Sequence, residues 1–238
     1  MSLRRHLLDG LDPTSISALP EAAALARRRS GGEVAAVGWP SEPTIVIGYQ
    51  QSLRDLVLDA CRQAGIAVGR RFCAGDAFLV GLGDVAFAFA TSQGAEWSYR
   101  EAVGTALASV VEAARGPGAE PKIVRSAVQI GERRVAGATA VRKWGGHLVC
   151  GYVRLSGSLD VFAPALRLTA KSLAANYVTM KEATGNDVAP ERFAVRLVDA
   201  WTKALRVTGG PPTERGEFEE LKSLVGGKYA GARWLSVR

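Results

Sequence analysis

The segment Ala77–Ala90 sets the tightest limit on what this chain can become. It is the longest apolar stretch of the 238 residues, yet glycines and Asp84 interrupt it, and it falls short of the roughly 20 residues a membrane-crossing helix needs. Its halves, Ala77–Leu82 and Val85–Thr91, flank Gly83-Asp84, a dipeptide suited to a tight hairpin. Two strands joined as a tight hairpin are the expectation.

The neighbouring patterns extend this into a fold. Ile16–Arg29 suits a short helix with Pro20 and Glu21 in its first turn and Arg27, Arg28 and Arg29 against its C-terminal dipole. Strands are expected at Glu33–Gly38 and Thr44–Gly48, then a helix over Ser52–Ala64 stopped by Gly65. A second helix runs from about Ser98 to Arg115 and ends at Gly116-Pro117. Strand candidates follow at Ile123–Ile130, Arg134–Val141 and Leu148–Leu155, joined by the GER and KWGG turns. Helical spacing resumes at Phe193–Leu205 and Glu217–Leu224, with GGPP (209–212) as a loop between them. Helices enclosing predominantly antiparallel strands make the class α+β. One domain is expected over 1–238, with 209–238 a helical segment too small for its own core.

A composition of 47% hydrophobic and 22% charged residues fits a folded globular chain. The net charge of +7 implies attraction to an anion, whether nucleotide, nucleic acid or acidic protein. No recognition helix, zinc spacing or aromatic sheet signature supports a nucleic-acid binder. The N-terminus MSLRRHLLDGLDP lacks an apolar core of secretory length, so a cytoplasmic location is expected. Cys61, Cys73 and Cys150 are odd in number and widely spaced, which suits reduced thiols. His6 and His147 read as isolated surface or strand-end residues, and no metal site is expected.

The motifs, taken in order, resemble the lipoate-protein ligase A and octanoyltransferase family. TIVIGYQQS, a helix, and then GIAVGRRFCAGDAFLVGLGDVAFAF are similar to the family's strand ending in Ile-Gly, its helix and its Arg-Arg-x-Ser-Gly-Gly-Gly-Ala loop. IGERRVAGATA resembles its Asp-Gly-Arg-Lys-Ile-Ser-Gly-Ser-Ala turn, CGYVRLSGSLDVF its His-Gly strand, and Lys228-Tyr229 with Trp234 its close. The match runs from about Ser17 to Trp234, and its colinearity carries more weight than any single motif.

The resemblance implies a biotin/lipoate ligase catalytic-domain fold. The implied activity is ATP-dependent attachment of lipoate or a related medium-chain acid, through acyl-AMP, to a lysine of an acidic lipoyl-acceptor domain. Mg2+ would accompany ATP, and a separate small accessory subunit could be required. Nucleotide and acyl contacts fall on Arg70, Arg71, Ala74, Gly75, Gly137, Ala138 and Gly151, where glycine lets the backbone approach phosphate and arginine grips it.

The polar centre differs from the family pattern. Arg134 aligns with the family's catalytic lysine, and its planar guanidinium is not a lysine's compact ammonium. Cys73-Ala74-Gly75-Asp76 replaces Ser-Gly-Gly-Gly, Val80-Gly81 a His-Asp pair, Arg125-Ser126 an Asn-Asp pair, and Cys150 a His. Asp76 would repel phosphate unless an arginine intervenes. Cys150, with His147 as base, could be an acyl-accepting nucleophile or a buried thiol, and Cys73 a reactive thiol or a loop filler. Lys143 could replace the missing lysine or be a solvated turn residue. These departures also fit an inactive relative that binds nucleotide, acyl group or a partner ligase.

Overall fold

The apolar segment 77–91 does not close into a hairpin. In the computed structural model, which describes residues 2–93, 96–116, 120–213 and 218–236, its two halves serve different sheets. β5 (Phe78–Val80) joins a three-stranded sheet with β3 (Thr44–Ile47) and β4 (Ala67–Arg70), in the order β4-β3-β5. β6 (Val85–Thr91) lies in the middle of an eight-stranded sheet and pairs antiparallel with β2 (Glu33–Pro40) and β10 (Gly146–Val153).

Asp84 is the reason. Its carboxylate is fully buried and accepts hydrogen bonds from the backbone N–H groups of Gly81, Leu155 and Gly157 at 2.8, 2.9 and 3.0 Å. The equally buried Arg154 guanidinium lies 3.2 Å away and also donates to the Gly157 carbonyl. A turn whose carboxylate is sunk into the protein cannot be the solvent-facing tip of a hairpin. It becomes the crossing from one sheet to the other.

The large sheet completes itself with β1 (Ser2–Leu11), β7 (Pro121–Val124), β8 (Ala127–Ile130), β9 (Arg133–Lys143) and β11 (Thr208–Thr213), in the order β11-β1-β2-β6-β10-β9-β8-β7. Its pairs from β2 to β7 are antiparallel, and β1 runs parallel to both β2 and β11. The expected α+β class with a predominantly antiparallel sheet is therefore what forms. The GGPP stretch, expected as a loop, is instead part of β11. The Ile123–Ile130 candidate folds back on itself as β7 and β8, because Arg125 takes a positive φ of 57° that reverses the chain.

α1 spans Pro13–Ser30 and begins earlier than the apolar spacing indicated. Asp12 caps it by accepting from Ser15 N at 2.9 Å, and Pro13, not Pro20, holds the first-turn position. The expected 52–64 helix is broken into a short 3-10 turn at Leu53–Asp55 and α2 at Leu58–Gln63. α3 (Tyr99–Ala114) starts at the Ser98/Glu101 capping box, as its sequence indicates; Pro117, in the expected stop, lies outside the described residues. α4 (Ala170–Asn176), α5 (Met180–Thr184), α6 (Pro190–Ala204), α7 (Glu219–Leu224) and α8 (Ala232–Leu235) complete the chain.

α1 covers one face of the large sheet, burying Leu19, Ala22 and Ala23 with Ala36, Ala88 and Cys150. α3 and α6 cover the other, where Phe87, Phe89 and Trp201 pack. The C-terminal segment seals the α1 side. Lys228 Nζ and Tyr229 Oη reach Glu21 Oε2 at 2.6 and 2.7 Å, and Phe218 stacks on His6 with ring centroids 4.4 Å apart. His6 is thus a buried core residue and not the surface residue its sequence context suggested. Among the described residues no helix is long and apolar enough to cross a membrane.

Two outcomes follow from these buried charges. Asp84→Asn leaves the Arg154 guanidinium without its counter-charge and is expected to cost about 3–5 kcal/mol in urea unfolding, whereas a loss below about 1 kcal/mol would show that the pair is not structural. Burial, helped by the Arg4 charge, lowers the His6 pKa from 6.5 to about 4. Between those values the unfolded chain holds the proton and the folded chain does not, so stability declines as pH falls through that window, by about 3 kcal/mol in total. His6→Phe should remove this slope from a series of denaturation curves between pH 4 and 7.

Candidate active site

Chain entry into the site is set by β3 and the loop after it. Gly48 follows β3 directly, and a Cβ there would overlap the Gly75 carbonyl oxygen, so only glycine lets the 48–51 and 73–77 loops lie against each other. Gly75 itself has φ = 100°, a conformation that side chains resist. The result is a cavity of about 100 Å³ between the 75–78 segment and β9, lined by Gly75, Asp76, Phe78, Tyr99, Ser126, Arg134, Gly137, Ala138, Thr139 and Tyr152. Four of the expected site residues, Gly75, Arg134, Gly137 and Ala138, meet there.

The other expected ligands do not. Arg70 is buried outside the cavity lining, and its Nη1 donates to the carbonyls of Gly48, Tyr49 and Gln51 at 3.1, 2.8 and 2.7 Å. Its Nε holds the Leu235 carbonyl at 3.1 Å, while Trp234 Nε1 donates to the Arg70 carbonyl at 2.8 Å. Arg71 donates to the carbonyls of Val46, Ala74 and Asp76 at 2.7, 3.0 and 2.6 Å, with its guanidinium 3.8 Å from the centre of the Phe78 ring. Both arginines are spent on main-chain carbonyls, which shapes the loop instead of leaving a fork free for phosphate. Ala74 is exposed and does not line the cavity. Gly151 is buried in β10, where a Cβ would overlap the Gly137 carbonyl and the Phe87 ring; it is a packing glycine.

Neither Cys73 nor Cys150 lines the cavity. Cys73 and Cys150 are each 1% exposed. A hydrogen bond with Cys150, then burial, pushes the Cys73 thiol well above its ordinary value, which opposes the thiolate a nucleophile needs. Residues 147 and 150 differ by an odd number along β10, so their side chains leave opposite faces of the sheet, and His147 cannot serve Cys150 as a base. Lys143 is exposed at the β9–β10 turn, 4.2 Å from the Phe72 ring centre and 4.7 Å from that of Trp144, and does not enter the cavity. No group of three or more potential metal ligands occurs among the described residues.

Arg134 is therefore the cation that faces the cavity. Burial works against its charge, but the phenols of Tyr152 and Tyr177 and the Asp76 carboxylate outweigh it and raise its pKa. The guanidinium carbon lies 5.7 Å from the Tyr177 ring centre, and the Arg134 carbonyl accepts from Val178 N at 3.0 Å, which ties the 177–178 segment to β9. Sequence reading missed Tyr152, Tyr99 and Thr139. Only Tyr152, at the position after the matched Gly151, carried any signal, as a phenol inside an apolar strand. The arrangement offers a small, largely polar pocket with Ala77, Phe78 and Ala138 on its apolar side and one fixed cation, a place for a polarised oxygen.

Residues 12–202 match the family model described as the lipoyl protein ligase A/B catalytic domain. Among solved structures, the chain is similar to one from Thermoplasma acidophilum of a bi-partite lipoate protein ligase and its E2 lipoyl domain, with 20% identity, a TM-score of 0.78, and 98% of this chain and 96% of that chain covered. A lipoate-protein ligase A bound with ATP gives 21% identity and a TM-score of 0.78 over 98% of each chain. A P. falciparum protein in complex with lipoate gives 14% identity and a TM-score of 0.74, covering 99% of this chain and 74% of that one. At these identities the likeness establishes the fold. No curated protein matches the chain.

Because the cavity depends on the Gly48–Gly75 approach, Gly48→Ala is expected to fold with a loss of about 1–3 kcal/mol, the usual cost of overpacking. Limited proteolysis should then cut faster within 73–77 than in the unaltered protein, and unchanged cleavage there would show that the loop does not lean on Gly48.

Proposed function

The chain belongs to the lipoyl protein ligase A/B catalytic-domain family, and on that premise we propose that it attaches lipoate or a related medium-chain acid to a lysine of an acceptor protein through an acyl-adenylate. The observation that carries this reading is the convergence of Gly75, Arg134, Gly137 and Ala138 on one cavity in which Arg134 is the facing cation.

In the first step, an oxygen of the acid's carboxylate forms a bond to the α-phosphorus of ATP, and the bond to the β-phosphate oxygen breaks to release pyrophosphate. In the second, the acceptor lysine's neutral ε-amine bonds to the acyl carbon, AMP leaves with the carbonyl-side bonding pair, and the amine's proton passes to solvent or phosphate. Arg134 serves both steps as a fixed positive charge, screening the carboxylate from the phosphate and then stabilising the oxyanion. Its guanidinium also offsets the Asp76 carboxylate at the same cavity. Any Mg2+ arrives with ATP. The cavity's roughly 100 Å³ holds the reacting end of a substrate and not an acyl-adenylate, since ligand pockets run to about 300–1,000 Å³. The 73–77 loop, in which residues 74–76 are exposed, moves outward to admit the remainder.

The chain acts as one catalytic domain, with the C-terminal segment held to it through Glu21 and Arg70. The net charge of +7 favours an acidic lipoyl-acceptor domain as partner. A separate accessory subunit is a further expectation, supported by the bi-partite ligase of T. acidophilum to which the chain is similar. The cytoplasm is the expected location.

A second reading, a non-catalytic relative that binds nucleotide, acyl group or a partner ligase, draws on Arg134 in place of lysine and on Asp76 at the mouth. Incubation with lipoate, ATP and Mg2+, and with candidate acceptor domains, separates the two. The ligase reading expects the acceptor mass to rise by one lipoyl group, with Arg134→Ala slowing the gain by about 100-fold or more. Repeated absence of the mass gain across acceptors, with and without an accessory protein, while AMP or lipoate still binds in calorimetry, would leave only the non-catalytic reading.

A further inference from the structure

Tyr152 presents a contradiction that a space-filling residue would not. Its side chain is 1% exposed, lines the cavity, and carries a buried Oη whose proton meets no acceptor among the described residues, the polar group it interacts with being the Arg134 guanidinium, a donor. A buried hydroxyl without a partner destabilises a protein, and a phenylalanine would fill the same volume without that penalty. The ring is fixed on two sides. It packs on Phe78 with centroids 5.1 Å apart, and a Cβ added at Gly137 would come 3.0 Å from its Cε1. Phe78 is itself held from behind by the Arg71 guanidinium. The hydroxyl therefore cannot swing to another partner.

Arg134 lines the same cavity and is electrostatically engaged with this phenol. A guanidinium only donates hydrogen bonds, so it cannot accept the Tyr152 proton. Two donors thus face one small space: apolar Ala77, Phe78 and Ala138 line part of it, and the oxygens of Asp76, Ser126 and Thr139 line the rest without hydrogen-bonding the Tyr152 hydroxyl. The missing partner is an oxygen acceptor on an otherwise apolar group.

We propose that Tyr152 and Arg134 form the receptor for the acyl-group oxygen, Tyr152 donating its hydroxyl proton in a hydrogen bond and Arg134 supplying the charge. The assignment rests on the ligase reading and deepens it, because it explains how an arginine works where the family pattern has a lysine. The broad guanidinium does not have to sit where an ammonium would; the phenol fixes the oxygen's position and Arg134 holds its charge. Tyr152 is on this view a substrate-binding residue that ranks with Arg134.

The test is calorimetric titration of the full chain and its Tyr152→Phe variant with lipoic acid and, separately, with AMP, together with thermal unfolding of both proteins. The expected result is lipoate binding weakened by about tenfold or more in the variant, AMP binding unchanged, and a melting temperature equal to or above that of the unaltered protein. Removing an unsatisfied hydroxyl should not destabilise, so a melting temperature that falls along with affinity would show a structural role and overturn the proposal. Lipoate affinity within about twofold of the unaltered protein would overturn it while leaving the ligase reading intact. A loss confined to AMP would make the site a phosphate receptor and also overturn it. No lipoate binding by the unaltered protein would sink both.

Discussion

The Asp84–Arg154 ion pair is the contact on which the rest of this structure depends. Charges taken wholly out of water are costly unless partners replace the lost water, and here backbone N–H groups from Gly81, Leu155 and Gly157 surround the carboxylate beside the guanidinium. Two segments distant in sequence, 81–84 and 154–157, are thereby fixed to one point. β5 is sent into the small sheet, β6 into the large one, and β10 ends where its Arg154 begins the network. Tyr152, two residues before Arg154, is held on the same face of the chain.

Basic residues do two different jobs in this chain, and burial separates them. Arg70 and Arg71 donate to seven main-chain carbonyls between Val46 and Leu235 and so act as internal cross-braces between distant stretches of chain. Arg71 supports the cavity from outside its lining, through the Asp76 carbonyl and the Phe78 ring. Arg134, only partly buried and facing the phenols of Tyr152 and Tyr177, retains a field directed at whatever enters. The net positive charge of the sequence is a property of the whole, while the charge that matters at the site is one side chain.

Much of the fold was legible because it follows from local chemistry. The Ser98/Glu101 capping box starts α3 where its spacing indicates, the KWGG turn closes β9 onto β10 with Trp144 and Gly145 both at positive φ, and the alternation along β10 puts Leu148, Cys150 and Tyr152 on one face. The misreadings share a cause. Gly83-Asp84 has the composition of an exposed turn, Pro20 that of a helix start, GGPP that of a loop and His6 that of a surface residue. Each was decided by a contact that the local pattern does not show: Arg154, the Asp12 cap, β1 and Phe218.

The sequence by itself determined the family and the α+β class, because colinear glycines, turns and apolar strands report constraints that act between near neighbours. It also delivered Gly75, Arg134, Gly137 and Ala138 to a common site. Only the tertiary structure decided which arginines are free to meet a ligand, that the cysteines are sealed from one, and that Tyr152 belongs to the site. Those outcomes turn on burial and on hydrogen-bond partners from distant segments, and neither is a property of the residue or of its neighbours in the chain.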